Sequence, residues 1–478
     1  MLTGFTTLDL VVLVVYLVGV TAWGAWLGRG QEGGTDYFLG SRSLPWVAVM
    51  LSVVATETST LTFLSVPGVS YAGALVFLQL TLGYLAGRVI VSVFFLPAYY
   101  GGSLTTAYAL LERRFGLGAR RFTSAIFMVT RLLADSVRLF ATAIPLALIT
   151  GWPYPASIAV IGVLTVVYTY FGGIKAVVWV DAVQMGLYLF GAAVTIVAIQ
   201  MLLPDGWAGV LSSAGAEGKL AVLDFSTDLT IPYTIWAGVF GGAIFTTASH
   251  GTDQLIVQRL LTCTDQRSAQ KALVGSGVVV ILQFLLFLMV GLGLWAFYEG
   301  RTFASTDEIF ATFIVEQLPT GLTGLLIAGV FAAAMSSLSS SINSLASATA
   351  YDYWAPMVGA RDDEQRILRA GKVFTLVWAG LLVGGANLFI PLSQGTSAVE
   401  VALGIASLVY GGLLGAFALG VFTKRPGQVA AIIGVAVGIG TVTLMRDLMA
   451  WPWYVLVGSS VTFVVGSLVG LVQNQPER

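Results

Sequence analysis

The chain has 478 residues, 57% hydrophobic and only 10% charged, with a mean hydropathy of +0.89 and a formal net charge of −1. No soluble domain of this length carries that composition, and a chain so close to neutral offers no basic surface for nucleic acid. The single Cys263 and the single His250 exclude an intramolecular disulfide and a multi-histidine metal site.

The composition is that of an all-α, polytopic membrane protein, expected to be multi-pass in an inner (plasma) membrane. Crossing ~30 Å of hydrocarbon takes about 20 apolar residues. Such runs recur at 8–28, 45–66, 74–99, 122–149, 155–172, 177–203, 231–255, 274–298, 321–350, 368–391, 396–422, 427–446 and 453–473. The opening MLTGFTTLDL has no positive n-region and no small-residue cleavage site follows, so the first run reads as a span and not a signal peptide. With the N-terminus outside, seventeen of the 23 Lys and Arg fall in inside loops, and only Lys219, Arg301 and Arg446 fall outside. Arg88, Arg131 and Arg138 lie within spans. A miscounted helix would scramble this asymmetry, so thirteen helices with N-terminus out and C-terminus in are expected.

The second span contains ATETSTLT at 55–62, a polar run with a carboxylate in mid-membrane, followed by Pro67 and Gly68. β-branched threonines and these two residues weaken the helix, and a break frees backbone carbonyls that are tolerated at that depth only beside a cavity or an ion. The fourth span carries Arg131, Asp135 and Arg138 at i,i+4 and i,i+3 spacing. These either form a salt-bridge ladder or meet a substrate, Arg138 being suited to a carboxylate. Outside segments at about 204–230 and 299–320 are acidic and polar, and FASTDEIFATFIVEQLP in the second predicts a surface helix. The seventh span is interrupted through Gly241, Gly242, Thr246, Thr247, Ser249 and Gly251.

The ninth span, within GVFAAAMSSLSSSINSLASATAYDY at 329–353, places Ser336, Ser337, Ser339, Ser340, Ser341 and Asn343 where lipid-like residues belong. The stripe is read either as oxygen ligands or as small residues that permit close helix packing. Interrupted helices five spans apart are the signature of an inverted-repeat transporter. The expected organisation is an extra helix at 1–30, a first repeat of spans two to six at 45–203, a second of spans seven to eleven at 231–422, and two further helices at 427–478.

DYFLGSRSLP (36–45), GGIKAVVWVDAVQ (172–184), GTDQLIVQRLL (251–261) and AAAMSSLSSSINS (332–344) resemble the sodium:solute symporter family, over residues 5 to 425. The resemblance implies a leucine-transporter-type fold and sodium-coupled import of a small polar organic solute, a sugar, a sialic-acid-like compound or another carboxylate. It further implies one sodium site built from main-chain carbonyls of Ala55, Thr58 and Ala333 with the hydroxyls of Ser336 and Ser337. A two-sodium pattern in some members implies a second ion on Asp181, Ser336, Ser339 and Ser340, against the reading of Asp181 as a hydrated interfacial residue. Cavity-facing candidates for the solute are Glu57, Ser59, Thr62, Gln79, Asp135, Arg138, Thr246, His250 and Glu400.

The family's galactose-type members carry a lysine where Val280 aligns and an aromatic inner gate where Ser249 and His250 align. The carboxylate-binding arginine of the sialic-acid type aligns nearest Asp135, with Arg138 a turn away. An acid at Glu57 repels an anion unless an arginine or sodium neutralises it. His250 is read as a hydrogen-bonded structural residue or a pocket wall, and Arg88 as the partner of an acid or a carbonyl. The bilayer and the solute are the expected partners, with no obligate protein partner. Competing readings are proton coupling through Glu57, Asp135 or Asp181, and a membrane sensor on the same fold, which would be expected to carry a signalling domain. A channel lacks a repeated pore segment or charged ring, and an enzyme lacks a metal set or nucleophile–base constellation.

Overall fold

A bilayer interior offers no water to backbone N–H and C=O groups, so uncharged apolar runs satisfy them within helices. The computed structural model describes residues 5–472 apart from 103, 304 and 390–397, and the side chains at 61, 145, 148, 149 and 398–403 are likewise outside it. Among the described residues β structure is limited to an isolated bridge between Leu44 and Cys263. The helices are α1 Thr7–Leu27, α2 Gly34–Leu39, α3 Trp46–Glu57, α4 Thr60–Ala72, α5 Leu75–Tyr100, α6 Ala109–Phe115, α7 Leu117–Thr150, α8 Tyr154–Leu202, α9 Gly206–Ala216 and α10 Gly242–Gly251. They continue with α11 Gln254–Leu260, α12 Gln266–Phe297, α13 Asp307–Gln317, α14 Leu322–Met357, α15 Glu364–Leu388, α16 Ala398–Phe422, α17 Gln428–Met445 and α18 Pro452–Val472.

Among the described residues nine helices are long and apolar enough to cross a membrane, or ten when the bent pair α3 and α4 is taken as one span. That makes this a multi-pass membrane protein. α7 is long enough but carries charge along its length, and α8, at 49 residues, breaks at Gly173 with φ 54. This break falls at the junction expected between the fifth and sixth spans. A side chain at Gly173 would also collide with the Tyr37 carbonyl, its Cβ only 2.5 Å from that oxygen.

α14 lies at the centre, packed against α1, α3, α4, α7 and α8, and almost every residue from Thr323 to Ala348 is buried. α16, α17 and α18 form a separate packed group joined to α7 through α16. The N-terminal helix is part of the bundle, as expected of a true span. Buried Asp9 accepts hydrogen bonds from the N–H groups of Gly321 (2.7 Å) and Gly324 (2.9 Å), which open α14. It also accepts from the Thr6 hydroxyl at 2.6 Å, so one carboxylate serves two helix N-termini.

Two expectations are corrected. The 299–320 segment does form a helix, α13, but not a surface one. Ile309, Phe310, Phe313, Ile314 and Val315 are buried, and Phe310 packs on Phe63 of α4 at 5.1 Å between ring centroids. Asp307 and Glu308 in its first turn sit favourably at the positive end of the helix dipole, while the apolar residues behind them pack on α4. The glycine- and threonine-rich run of the seventh span stays helical, with a π turn over Trp236–Gly241, and the break follows directly after Gly251, at Thr252–Asp253 between α10 and α11. The glycines instead admit neighbouring chains: a Cβ at Gly242 would lie 3.1 Å from the Leu80 carbonyl of α5, and one at Gly241 would lie 2.9 Å from the Pro452 carbonyl of α18. Thr247 returns its hydroxyl to the Ala243 carbonyl at 2.8 Å and so does not compete with the helix.

Two measurements check this packing. Asp9→Ala orphans two N-terminal amides of α14 and is expected to lower stability by about 1–3 kcal/mol, read as a fall in melting temperature in detergent. Burial pushes the Cys263 thiol, in the loop after α11, up to about 12. Maleimide at pH 7 is therefore expected to leave the folded protein unlabelled and to modify it fully once denatured.

Candidate ion and solute site

The break between α3 and α4 begins with hydroxyls that turn back on their own helix. Thr56 donates to the Ser52 carbonyl at 2.7 Å and Thr58 to that of Val54 at 2.8 Å. The Ser59 N–H then goes to the Glu57 carbonyl at 3.0 Å, and not to Ala55 as an unbroken helix requires. Ala55 thus keeps a carbonyl without its helical donor inside the bundle, and α4 departs at 60°. On α4, Thr60 donates to the Val330 carbonyl at 3.1 Å, while on α3 Thr56 meets Ser340 at 3.3 Å. These two contacts bracket the break and set Ala55–Ser59 across from the stretch 331–339. Ala333, Ser336 and Ser337 lie in that stretch. The Ser336 hydroxyl proton goes to Asp181 at 2.6 Å, which leaves its lone pairs for another partner, and the buried Ser337 hydroxyl oxygen has no protein partner among the described residues. Thr58 is fixed from a third side by Gln283 of α12, whose amide donates to its hydroxyl at 2.7 Å.

Asp181 on α8 is fully buried, which overturns the reading of a hydrated interfacial residue. Its carboxylate accepts from Ser336 (2.6 Å), from Ser52 (2.6 Å) and from Arg259 Nη2 (3.2 Å). Arg259 also donates to Ser52 at 2.9 Å, to the Leu255 carbonyl at 2.7 Å and to Ser340. Ser339 and Ser340 donate to the Ser336 carbonyl at 3.0 and 2.6 Å. Of the four residues carried over for a second ion, Asp181 and Ser340 hold the Arg259 guanidinium, Ser336 joins through Asp181, and Ser339 bonds back to its own helix. Arg259 had been counted only as a loop charge. α11 instead folds back into the protein with all seven of its residues buried.

The fourth-span charges take the ladder form. Arg131 and Arg138 reach Asp135 at 3.3 and 3.4 Å, and Ser341 donates to it at 2.5 Å. Arg131 further binds Asp253 at 2.7 Å and Tyr410 of α16, whose hydroxyl donates to Asp253 at 2.6 Å. Asp135 is therefore committed to protein partners, whereas Arg138 keeps a side chain 23% exposed. Gln79 is committed too: it donates to the Val76 and Tyr233 carbonyls and accepts from the Asp224 N–H, each at 3.2 Å, and so pins the outer segment.

Glu57, at the break, has a side chain 21% exposed and pairs with fully buried Arg88 of α5. Arg88 Nη2 also reaches His250 Nε2 at 3.2 Å. A guanidinium cannot accept, so Nε2 accepts, and the proton sits on Nδ1, which donates to Ser249 at 2.9 Å. Arg88 Nε and Nη1 and the Thr246 hydroxyl are buried without partners among the described residues. Ser59 is buried and Thr62 half-buried, and the side chain of Glu400 lies outside the described residues.

A family model, that of the sodium:solute symporter family, matches residues 37–438. The chain is 31% identical to the sodium/sialic acid symporter NanT of Aliivibrio fischeri, over 97% of the chain and 93% of that protein. It is 30% identical to the human sodium/iodide cotransporter, over 91% of the chain and 69% of that protein. Its structure superposes on a substrate-bound, outward-open sodium-coupled sialic acid symporter with a TM-score of 0.91 at 26% identity, covering 99% of each chain. A nucleobase-cation-symport-1 transporter shares the fold alone, with a TM-score of 0.55 at 15% identity.

The Asp181 cluster is open to a double-mutant cycle. Arg259→Gln leaves a buried carboxylate unpaired and is expected to cost about 3–5 kcal/mol. Asp181→Asn in the same chain should restore much of that loss in denaturation experiments. Additive losses would mean that the two side chains do not act as a pair.

Proposed function

This chain belongs to the sodium:solute symporter family, and from that premise we propose that it imports a small polar organic solute with sodium by alternating access. The observation that carries the proposal is the break at Thr58–Ser59 set against α14. The first sodium site is Ala55, Thr58 and Ala333 through their carbonyls and Ser336 and Ser337 through their hydroxyls. Support comes from the displaced Ala55 carbonyl, the free lone pairs of Ser336 and the partnerless Ser337 hydroxyl. Sodium is a hard cation suited to such neutral oxygens, and a site without its own fixed charge also lets the ion go.

The organisation follows: thirteen spans, N-terminus out and C-terminus in, with inverted repeats at 45–203 and 231–422, one helix before them at 1–30 and two after at 427–478. Each sodium moving inward contributes about 2.3 kcal/mol per 100 mV of membrane potential, before any concentration gradient. A second ion, on Asp181, Ser336, Ser339 and Ser340, enters only by replacing the Arg259 guanidinium, so coupling rests on the first site. Asp253 ties the start of α11 to α7 and α16 through Arg131 and Tyr410, and Arg259 ties α11 to α3, α8 and α14. Nearer the inside, Arg120 of α7 holds Asp352 of α14 at 2.7 Å. Release to the inside requires these links to part.

Sodium binding is read directly as thermal stabilisation of the purified protein. At a hundredfold excess over Kd the gain is about 2.7 kcal/mol, and Ser337→Ala should abolish it. Equal stabilisation by potassium or choline, or an unchanged sodium effect in Ser337→Ala, would remove the site assignment. Labelled uptake into proteoliposomes along a sodium gradient then tests transport.

A further inference from the structure

We infer that Glu57 determines solute specificity: held by Arg88, which also contacts His250, it makes the pocket select a solute of zero net charge that carries hydroxyl or ammonium donors. This rests on the symporter reading above and narrows its cargo. Around the break the buried charges form three groups: Glu57 with Arg88; Asp181 with Arg259; and Asp135 and Asp253 with Arg131 and Arg138. Each group sums to zero, and His250 is neutral because its Nε2 accepts from Arg88. An anion entering such a pocket finds Arg88, Arg131 and Arg259 already bound to carboxylates, and only Arg138, shared with Asp135 at 3.4 Å, has a partly exposed side chain.

Glu57 offers the opposite chemistry. Arg88 engages Oε2, while Oε1 lies 3.6 Å from His250 Nε2, too far for a hydrogen bond. A partly exposed carboxylate at the break, with Arg88 on Oε2 alone, is an acceptor in want of a donor. Sugars, cyclitols and amino acids supply such donors without net charge, whereas iodide and simple monocarboxylates supply none. Arg88 is the positioning residue that holds Glu57, and His250 acts through Arg88.

The test is a panel of galactose, myo-inositol, proline, N-acetylneuraminate, propionate and iodide, measured as sodium-dependent thermal shift and as competition for uptake. In the wild-type protein the net-neutral probes should respond and the anions should not. Glu57→Gln removes the negative charge and frees Arg88, so N-acetylneuraminate or propionate should gain at least about tenfold in affinity relative to the neutral probes. Glu57→Gln with Arg88→Gln restores charge balance and should lose that gain, and it keeps the inference testable if the single variant folds poorly. A wild-type preference for anions that Arg138→Gln abolishes, an unchanged ranking in Glu57→Gln, or no response to any neutral probe would overturn the inference. Loss of the sodium effect without solute would instead count against the coupling reading.

Discussion

A membrane helix cannot stop in mid-bilayer without leaving backbone groups to be satisfied by something other than lipid. At Thr58–Ser59 the helix does stop: the Ser59 N–H closes a tighter turn on the Glu57 carbonyl in place of the helical bond to Ala55. The surroundings answer that constraint. α14 presents alanines and serines, which let it approach the break and offer oxygen there. Gln283 fixes Thr58, and Thr60 ties the far side to Val330. Asp9 anchors α14 at its own start, so the N-terminal helix holds the register on which the opposed stretch depends.

Charge inside the bundle obeys a second constraint. A lone ion in hydrocarbon is expensive: Asp9 rests on backbone amides and the Thr6 hydroxyl, and the other buried carboxylates named above each have an arginine beside them. These pairs join elements that are distant in sequence: α5 to the break, α11 to α3, α8 and α14, and α7 to α16. Links of this kind are stable while closed and can be exchanged as units, which suits a protein that must open alternately to two sides.

Much of this was legible beforehand. Apolar run length marked the helices, and the Lys/Arg asymmetry gave them a direction. The polar run 55–62 announced the break, since threonine, serine and glutamate have no reason to sit in lipid. The seventh span was harder, because glycine has two uses. In 241–251 it lets Gly242 approach the Leu80 carbonyl of α5 and Gly241 that of Pro452 in α18, and the break follows at Thr252–Asp253, where Asp253 caps α11 through the Leu255 N–H at 2.9 Å. Likewise Asp/Glu at the start of α13 suggested a surface helix, while the apolar residues behind them pack on α4.

What the sequence determined by itself is whatever depends on local pattern: helical spans, the weak point in the second span and a stripe of hydroxyls in the ninth. Tertiary structure alone decided partners. Arg259 looked like one more inside charge and lies against Asp181, Arg88 proved to be the counter-ion of Glu57, and Arg131, Asp135 and Arg138 form a ladder extended to Asp253 and Tyr410. An ion pair is a matter of a few ångströms between side chains that stand 3 residues apart in Arg138–Asp135 and 232 apart in Arg120–Asp352. Spacing along one helix reveals the short pairs, and only the packed bundle reveals the long ones.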